Sequence, residues 1–235
     1  MNNNKGTNLV EKYDNPVIRS LIQLVPFGIG SGIDVLLMTK IKTIRDSRIK
    51  AFFDDLNEGE IELTEELIAQ EDFLHSYFST IRAVLRTRRK EKIKLFARLF
   101  KNSVIDNQVS DPDEYDDYLK ILDDLSMKDI ILLNEIKSFE ERVDKDFKQA
   151  NENFADPMNV LPEWHTSFLT IVEEKIGLDY EKLNIRIYRL ESLGLFERTL
   201  EIASNNTTKV KNIDNTGRLT TLFYSFYELI SGWTK

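Results

Sequence analysis

Few side chains in this 235-residue chain are of a type and spacing that does chemistry. There is no cysteine, which removes disulfides, thiolate nucleophiles and Cys-ligated zinc by inventory. Only two histidines occur, His75 and His165, each in an apolar helical setting. A hydrolytic triad needs a base beside its nucleophile, and a histidine in such a setting reads first as a hydrogen-bonded boundary residue. Neither stands in an HxxxH or HExxH spacing that would put two metal ligands on one helix face. "GIGSG" at Gly28 lacks the Lys and Ser/Thr of a phosphate cradle, and no strand precedes it. Asp111, Asp113, Glu114, Asp116 and Asp117 lack the ligand spacing and the glycine of a calcium loop, so helix capping accounts for most of them. The expectation is a non-enzymatic protein with no catalytic residue, no metal ligands and no cofactor.

The strongest signal is electrostatic. "RAVLRTRRKEKIKLFARLFK", Arg82 to Lys101, holds nine Lys or Arg and one Glu in a chain of formal net charge -8, so the remainder is strongly acidic. A pI near 5 argues against a general nucleic-acid coat protein, while the segregated charge leaves a local basic site open. Arg86, Arg88, Arg89, Lys90, Lys94 and Arg98 are the candidate contacts to phosphate or to a protein partner, joined by Lys209 and Lys211 from a C-terminal hairpin. The competing expectation is that Asp111 to Asp117 neutralise this run across the fold.

The elements that must position these residues follow from periodicity. Apolar residues from Ile33 to Leu56 fall mostly on steps of three and four, as in one long amphipathic helix, ended by Asn57 and Gly59. Thr64, followed by Glu65 and Glu66, reads as an N-cap opening a second helix, with Tyr77, Ile81 and Val84 on its core face. Past Thr87 the apolar set becomes Ile93, Phe96, Ala97 and Phe100, a face rotated by roughly a quarter turn at about 100° per residue. One straight helix would serve both faces poorly, so the spacing predicts a break at Thr87 to Arg89. Asp111 and Pro112 then start a helix, Ser126 and Asp129 resemble a capping box, and Pro162 can open another helix.

The last third changes rhythm. Asp179 caps a helix with core face Leu183, Ile187 and Leu190, and Gly194 stops it. Phe196, Leu200 and Ile202 alternate with polar residues as in a half-buried strand, "TTKVKNI" can return antiparallel, "DNTG" turns, and an aromatic-rich helix closes the chain. The fold class expected is mainly α: a helical bundle with a C-terminal winged-helix-like module carrying a small β-hairpin. Its parts are a flexible N-terminus (1–15), a helical domain (16–110) and a helical and winged-helix-like domain (111–235). In the helix before the hairpin, Lys182, Arg186 and Arg189 are balanced by Asp179, Glu181 and Glu191, which weakens a base-reading role.

Leu21 to Met38 is the most apolar stretch, but Pro26 and three glycines interrupt it and its uncharged part is short of the roughly 20 residues that cross a bilayer. Gly28 and Gly32 form a small-xxx-small pair, and Lys40, Lys42, Arg45 and Arg48 beyond them would match an anionic membrane surface. The polar N-terminus lacks the order of a secretory signal, which makes a cytoplasmic location the expectation.

"RTRRKEKIKLFARLFKNSV", "YDDYLKILDDLSMKDIILLNEI", "YRLESLGLFE" and "GRLTTLFYSFYELI" together resemble the bacterial abortive-infection alpha family, over roughly Asp72 to Ile230. The resemblance implies a mainly helical body with a winged-helix-like tail, in a bacterial cytoplasmic protein of antiviral (phage) defence, and it transfers no active-site residue. Three functional readings stand at this point. The first is a non-enzymatic interaction protein, a subunit or regulator of such a system, docking a protein partner or a second copy of itself. The second is a nucleic-acid-binding winged helix using 82–101, and the third is a membrane-associated effector working through 21–38.

Overall fold

The structure, a computed structural model, describes residues 12–13, 15–25, 35–58, 64–109, 111–152, 170, 172–198 and 217–231. The chain is mainly helical with one small antiparallel hairpin near its C-terminal end. It divides into two compact units, one running to Asp124 and taking in Glu228 onward, the other spanning Leu125–Tyr227.

In the first unit, Asn15 caps α1 (Pro16–Leu24) by accepting hydrogen bonds from the amides of Val17 and Ile18, and Pro16 fills the first position, where no amide donor is needed. The helix buries Val17, Ile18, Leu21 and Ile22. Helix α2 (Val35–Glu58) buries Ile49, Phe52, Phe53 and Leu56 in its C-terminal half; Gly59, expected to end it, lies outside the described residues. Thr64 caps as expected, accepting from the Leu67 amide, but α3 (Glu65–Ile68) lasts only four residues. The chain turns through an extended Gln70 before α4 (Glu71–Arg86), so the single helix read from Thr64 is two. Leu67 and Ile68 are only half-buried, whereas Phe73 and Tyr77 are buried; packing favours reorienting the helix axis over continuing it.

The expected break between the two rotated apolar faces is present. Thr87 and Arg89 are extended, and α5 (Lys90–Phe100) begins directly after them. Thr87 closes α4 by donating from its hydroxyl to the Ala83 carbonyl at 2.9 Å. Helix α5 then runs into a π-helical turn, Lys101–Ile105, whose wider winding brings Asn102 and Ser103 inside. There the Asn102 amide donates to the Leu229 carbonyl at 2.7 Å. Helix α6 (Pro112–Asp124) starts on Asp111, whose carboxylate accepts from the Asp113 amide. Its Tyr115, Tyr118, Leu119 and Leu122 are buried and the helix packs on α4 and α5. It therefore belongs with the first unit, which runs to Asp124.

In the second unit, α7 (Met127–Glu152) opens on a reciprocal box: the Asp129 amide donates to the Ser126 hydroxyl at 3.3 Å and the Ser126 amide donates to the Asp129 carboxylate at 2.7 Å. Residues 172–176 are helical; Pro162, His165 and the rest of that stretch lie outside the described residues. Helix α8 (Tyr180–Ser192) has Asp179 as its cap and buries Leu183, Ile187 and Leu190. It ends on Gly194, at φ 72°, a left-handed conformation that costs glycine least. Strand β1 (Phe196–Arg198) pairs antiparallel with β2 (Gly217–Leu219), Phe196 opposite Leu219. Helix α9 (Thr221–Ser231) follows, so helix, hairpin and helix come in the order of a winged-helix-like module. Glu140 of α7 ties this tail down, accepting from the Leu219 amide at 2.7 Å and the Tyr224 hydroxyl at 2.9 Å.

The hairpin differs from the sequence reading in one respect. Gly217, expected in a turn, is a strand residue, and "TTKVKNI" lies outside the described residues. A Cβ at Gly217 would stand 2.4 Å from the Glu197 carbonyl oxygen and 2.5 Å from the Phe196 ring, so only glycine lets the strands meet there. Gly217→Ala should therefore lower stability by about 1–3 kcal/mol, read by denaturant unfolding, because backbone must shift and not merely a side-chain tip. An unchanged midpoint would show that the pairing does not depend on that close approach.

Candidate functional site

The basic run is split by the tertiary structure into neutralised and bare parts. Arg86 donates to Asp123 at 2.6 Å. Lys92 is buried, with its ammonium on the Asp123 carbonyl oxygen at 2.8 Å and over the Phe96 ring at 5.6 Å. Lys94 and Arg98 each lie 3.7 Å from the carboxylate of Asp55, which is 4% exposed. Burial raises the Asp55 pKa and outweighs the lowering effect of Arg98 and Lys94. Lys101 pairs with Asp106 at 3.1 Å.

Asp111 to Asp117 do not perform the neutralisation considered for them. Among the described residues none of these acids pairs with the basic run; Asp116 faces His75 at 3.9 Å and Glu114 accepts from the Tyr118 hydroxyl. Carboxylates at positions 55, 106 and 123 take that role.

What stays bare is the corner between α4 and α5. Arg88, Arg89 and Lys90 are exposed and make no ion pair among the described residues. The corner borders a groove of about 660 Å³ whose other wall is α2, with Thr43, Ile44, Ser47 and Arg48 facing Arg88, Lys90 and Ile93. Arg48 is anchored there by donating to the Leu85 carbonyl at the end of α4. Lys209 and Lys211 lie outside the described residues, so of the eight candidate cations three are bare, three are paired and two are not placed.

A second surface was not anticipated from the sequence. On the outer side of α8, Ile185 is 69% exposed, Tyr188 54% and Tyr180 44%. The cations of the same helix are held. Arg186 donates to Asp129 at 2.5 Å and to the Ser126 hydroxyl at 3.0 Å, Arg189 lies 3.5 Å from Asp129, and Lys182 pairs with Asp179 at 2.5 Å. Arg198 lies over the Tyr188 ring at 3.7 Å and 3.2 Å from Glu191. Beside Ile185 is a pocket of about 260 Å³, lined also by Leu178, Lys128, Lys182 and Arg189. One signal was available in the sequence: Ile185 and Tyr188 fall off the Leu183, Ile187, Leu190 stripe, and two large apolar residues outside a core face mark an exposed patch.

His75 is exposed at the surface, not in an apolar setting, and His165 lies outside the described residues. Among the described residues no group of three or more His, Asp or Glu side chains is placed to hold a metal ion, and no described helix is long and apolar enough to cross a membrane. No family model, curated protein or solved structure matches the chain.

Proposed function

We propose that this chain is a non-enzymatic interaction protein, a subunit or regulator of a phage-defence (abortive-infection) system in the bacterial cytoplasm, and that its docking face is the outer side of α8. The defence setting is supported by the resemblance over 72–230. The docking reading is supported by one observation: α8, which occupies the place of a reading helix before its hairpin, turns Ile185 and Tyr188 outward while Arg186 and Arg189 are held against Asp129. Base reading in a groove needs free donors on such a helix. Exposed aliphatic and aromatic side chains are instead the material of protein interfaces. The partner has an apolar side chain for the pocket beside Ile185 and a carboxylate for the exposed Lys128 that lines it.

Selection of random displayed peptides on the intact chain tests this. The expected result is enrichment of an aliphatic or aromatic residue flanked by acids, with affinity falling about tenfold or more in Ile185→Asp, as for a central interface residue. Enrichment of basic peptides, or binding indifferent to the substitution, would remove the proposal.

A further inference from the structure

The bare corner of the first unit carries a separate function. We infer that the groove between α2 and the α4–α5 corner binds the phosphate of anionic lipid headgroups, placing the protein on a membrane surface. The electrostatic part rests on Arg88, Arg89 and Lys90, exposed and without ion pairs among the described residues, with Arg48 across the groove. Helix α5 adds to it, because no side chain caps its N-terminus at Arg89 and its first-turn amides carry the positive end of the helix dipole. Ser47 supplies a hydroxyl on the opposite wall, whereas the Thr43 hydroxyl donates to the Thr39 carbonyl at 2.9 Å. A volume of about 660 Å³ takes a phosphate together with the polar group esterified to it.

The apolar part decides the source of the phosphate. Ile44 is 48% exposed inside this cationic rim, and Ile41, one turn earlier on the same helix face, is 37% exposed. Residues 39–44 of α2 are all exposed, with Lys40 and Lys42 among them. A nucleic-acid backbone would leave both isoleucines in water, since it offers phosphate and sugar at that range. A bilayer interface takes in both kinds of side chain: isoleucine enters the acyl boundary while lysine and arginine meet the headgroups. This surface differs from the Leu21 to Met38 stretch, requires no spanning helix, and is independent of the docking face on α8.

Cosedimentation of the intact chain with vesicles is the test. Binding is expected to vesicles of about 30% phosphatidylglycerol in phosphatidylcholine and not to phosphatidylcholine alone, with release as salt is raised. Each surface cation contributes about fivefold, so R88A/R89A/K90A should weaken binding about 100-fold, and Arg89→Ala alone about fivefold. All are exposed positions, and an unchanged thermal midpoint verifies the fold. I41S/I44S should also weaken vesicle binding while leaving any binding to duplex DNA or inorganic phosphate unaltered; Ile185→Asp should bind vesicles as the parent does. Equal binding to both kinds of vesicle would overturn the inference. So would indifference to I41S/I44S, or binding to duplex DNA stronger than to vesicles with a salt slope of about 0.9 per phosphate.

Discussion

Asp129→Ala is expected to lower the stability of the second unit by about 3–5 kcal/mol, the range for removing one partner of a buried ion pair. The Asp129 side chain is fully buried and has three tasks. It accepts the Ser126 amide at the start of α7, binds the Arg186 guanidinium at 2.5 Å, and lies 3.5 Å from Arg189. Alanine would leave a frayed helix start and a part-buried Arg186 without its counter-ion. Asp129→Asn, which keeps the shape and loses the charge, should cost less. Hydrogen exchange of the α8 amides and urea unfolding read the effect, and a loss below about 1 kcal/mol would mean that the pair does not hold the unit together.

The same residue sets a pH dependence. Burial pushes the Asp129 pKa up, but hydrogen bonds from Ser126 and Arg186 and the Arg186 charge outweigh it, and the carboxyl ends below its ordinary value. A folded-state pKa below the unfolded one contributes stability that is full above the unfolded value of about 4 and is lost as pH falls through the folded value. Urea midpoints of the parent chain should therefore fall in acid more steeply than those of Asp129→Asn. Parallel curves would show that other carboxylates govern the acid limb.

Phe100→Ala is the second large effect, about 3–5 kcal/mol in the first unit. Phe100 is fully buried where α5 passes into the π-helical turn. Its ring centroid lies 5.5 Å from that of Phe73, 6.1 Å from Tyr77, 6.2 Å from Phe52 and 6.5 Å from Tyr115, so one side chain joins α2, α4, α5 and α6. Tilted and edge-on rings at these distances add to the burial itself. Tyr115 cannot simply collapse into the space left behind, because its hydroxyl is tied to Thr80. Phe100→Leu should cost distinctly less, whereas His75→Ala, at an exposed site, should stay within about 0.5 kcal/mol. Denaturant midpoints of the three variants check the order, and a Phe100→Ala loss no larger than that of His75→Ala would contradict the packing.

Several features were legible residue by residue. The rotated apolar faces on either side of Thr87 required a break, and the chain leaves the helix there. Asn15 and Pro16 obey the same capping chemistry as Asp111 with Pro112 and Asp179. The Ser126 and Asp129 box was readable because its two partners are three residues apart. The turn between α3 and α4 was not, since no glycine, proline or capping side chain marks Gln70. The partners of the basic run were equally hidden: Asp55 precedes Lys94 by dozens of residues, and Asp123 follows Arg86 by 37.

By itself the sequence determined the helical character of the chain, most of its caps, the interruption before α5 and the lack of cysteine chemistry, because periodicity and capping act within a few residues. Only the tertiary structure decided that Arg86, Lys94 and Arg98 face carboxylates while Arg88, Arg89 and Lys90 stay bare, and that Ile185 and Tyr188 look outward over arginines held by Asp129. A charge is neutralised by whatever lies within a few ångströms of it, and that distance is set by how helices pack, not by their separation along the chain.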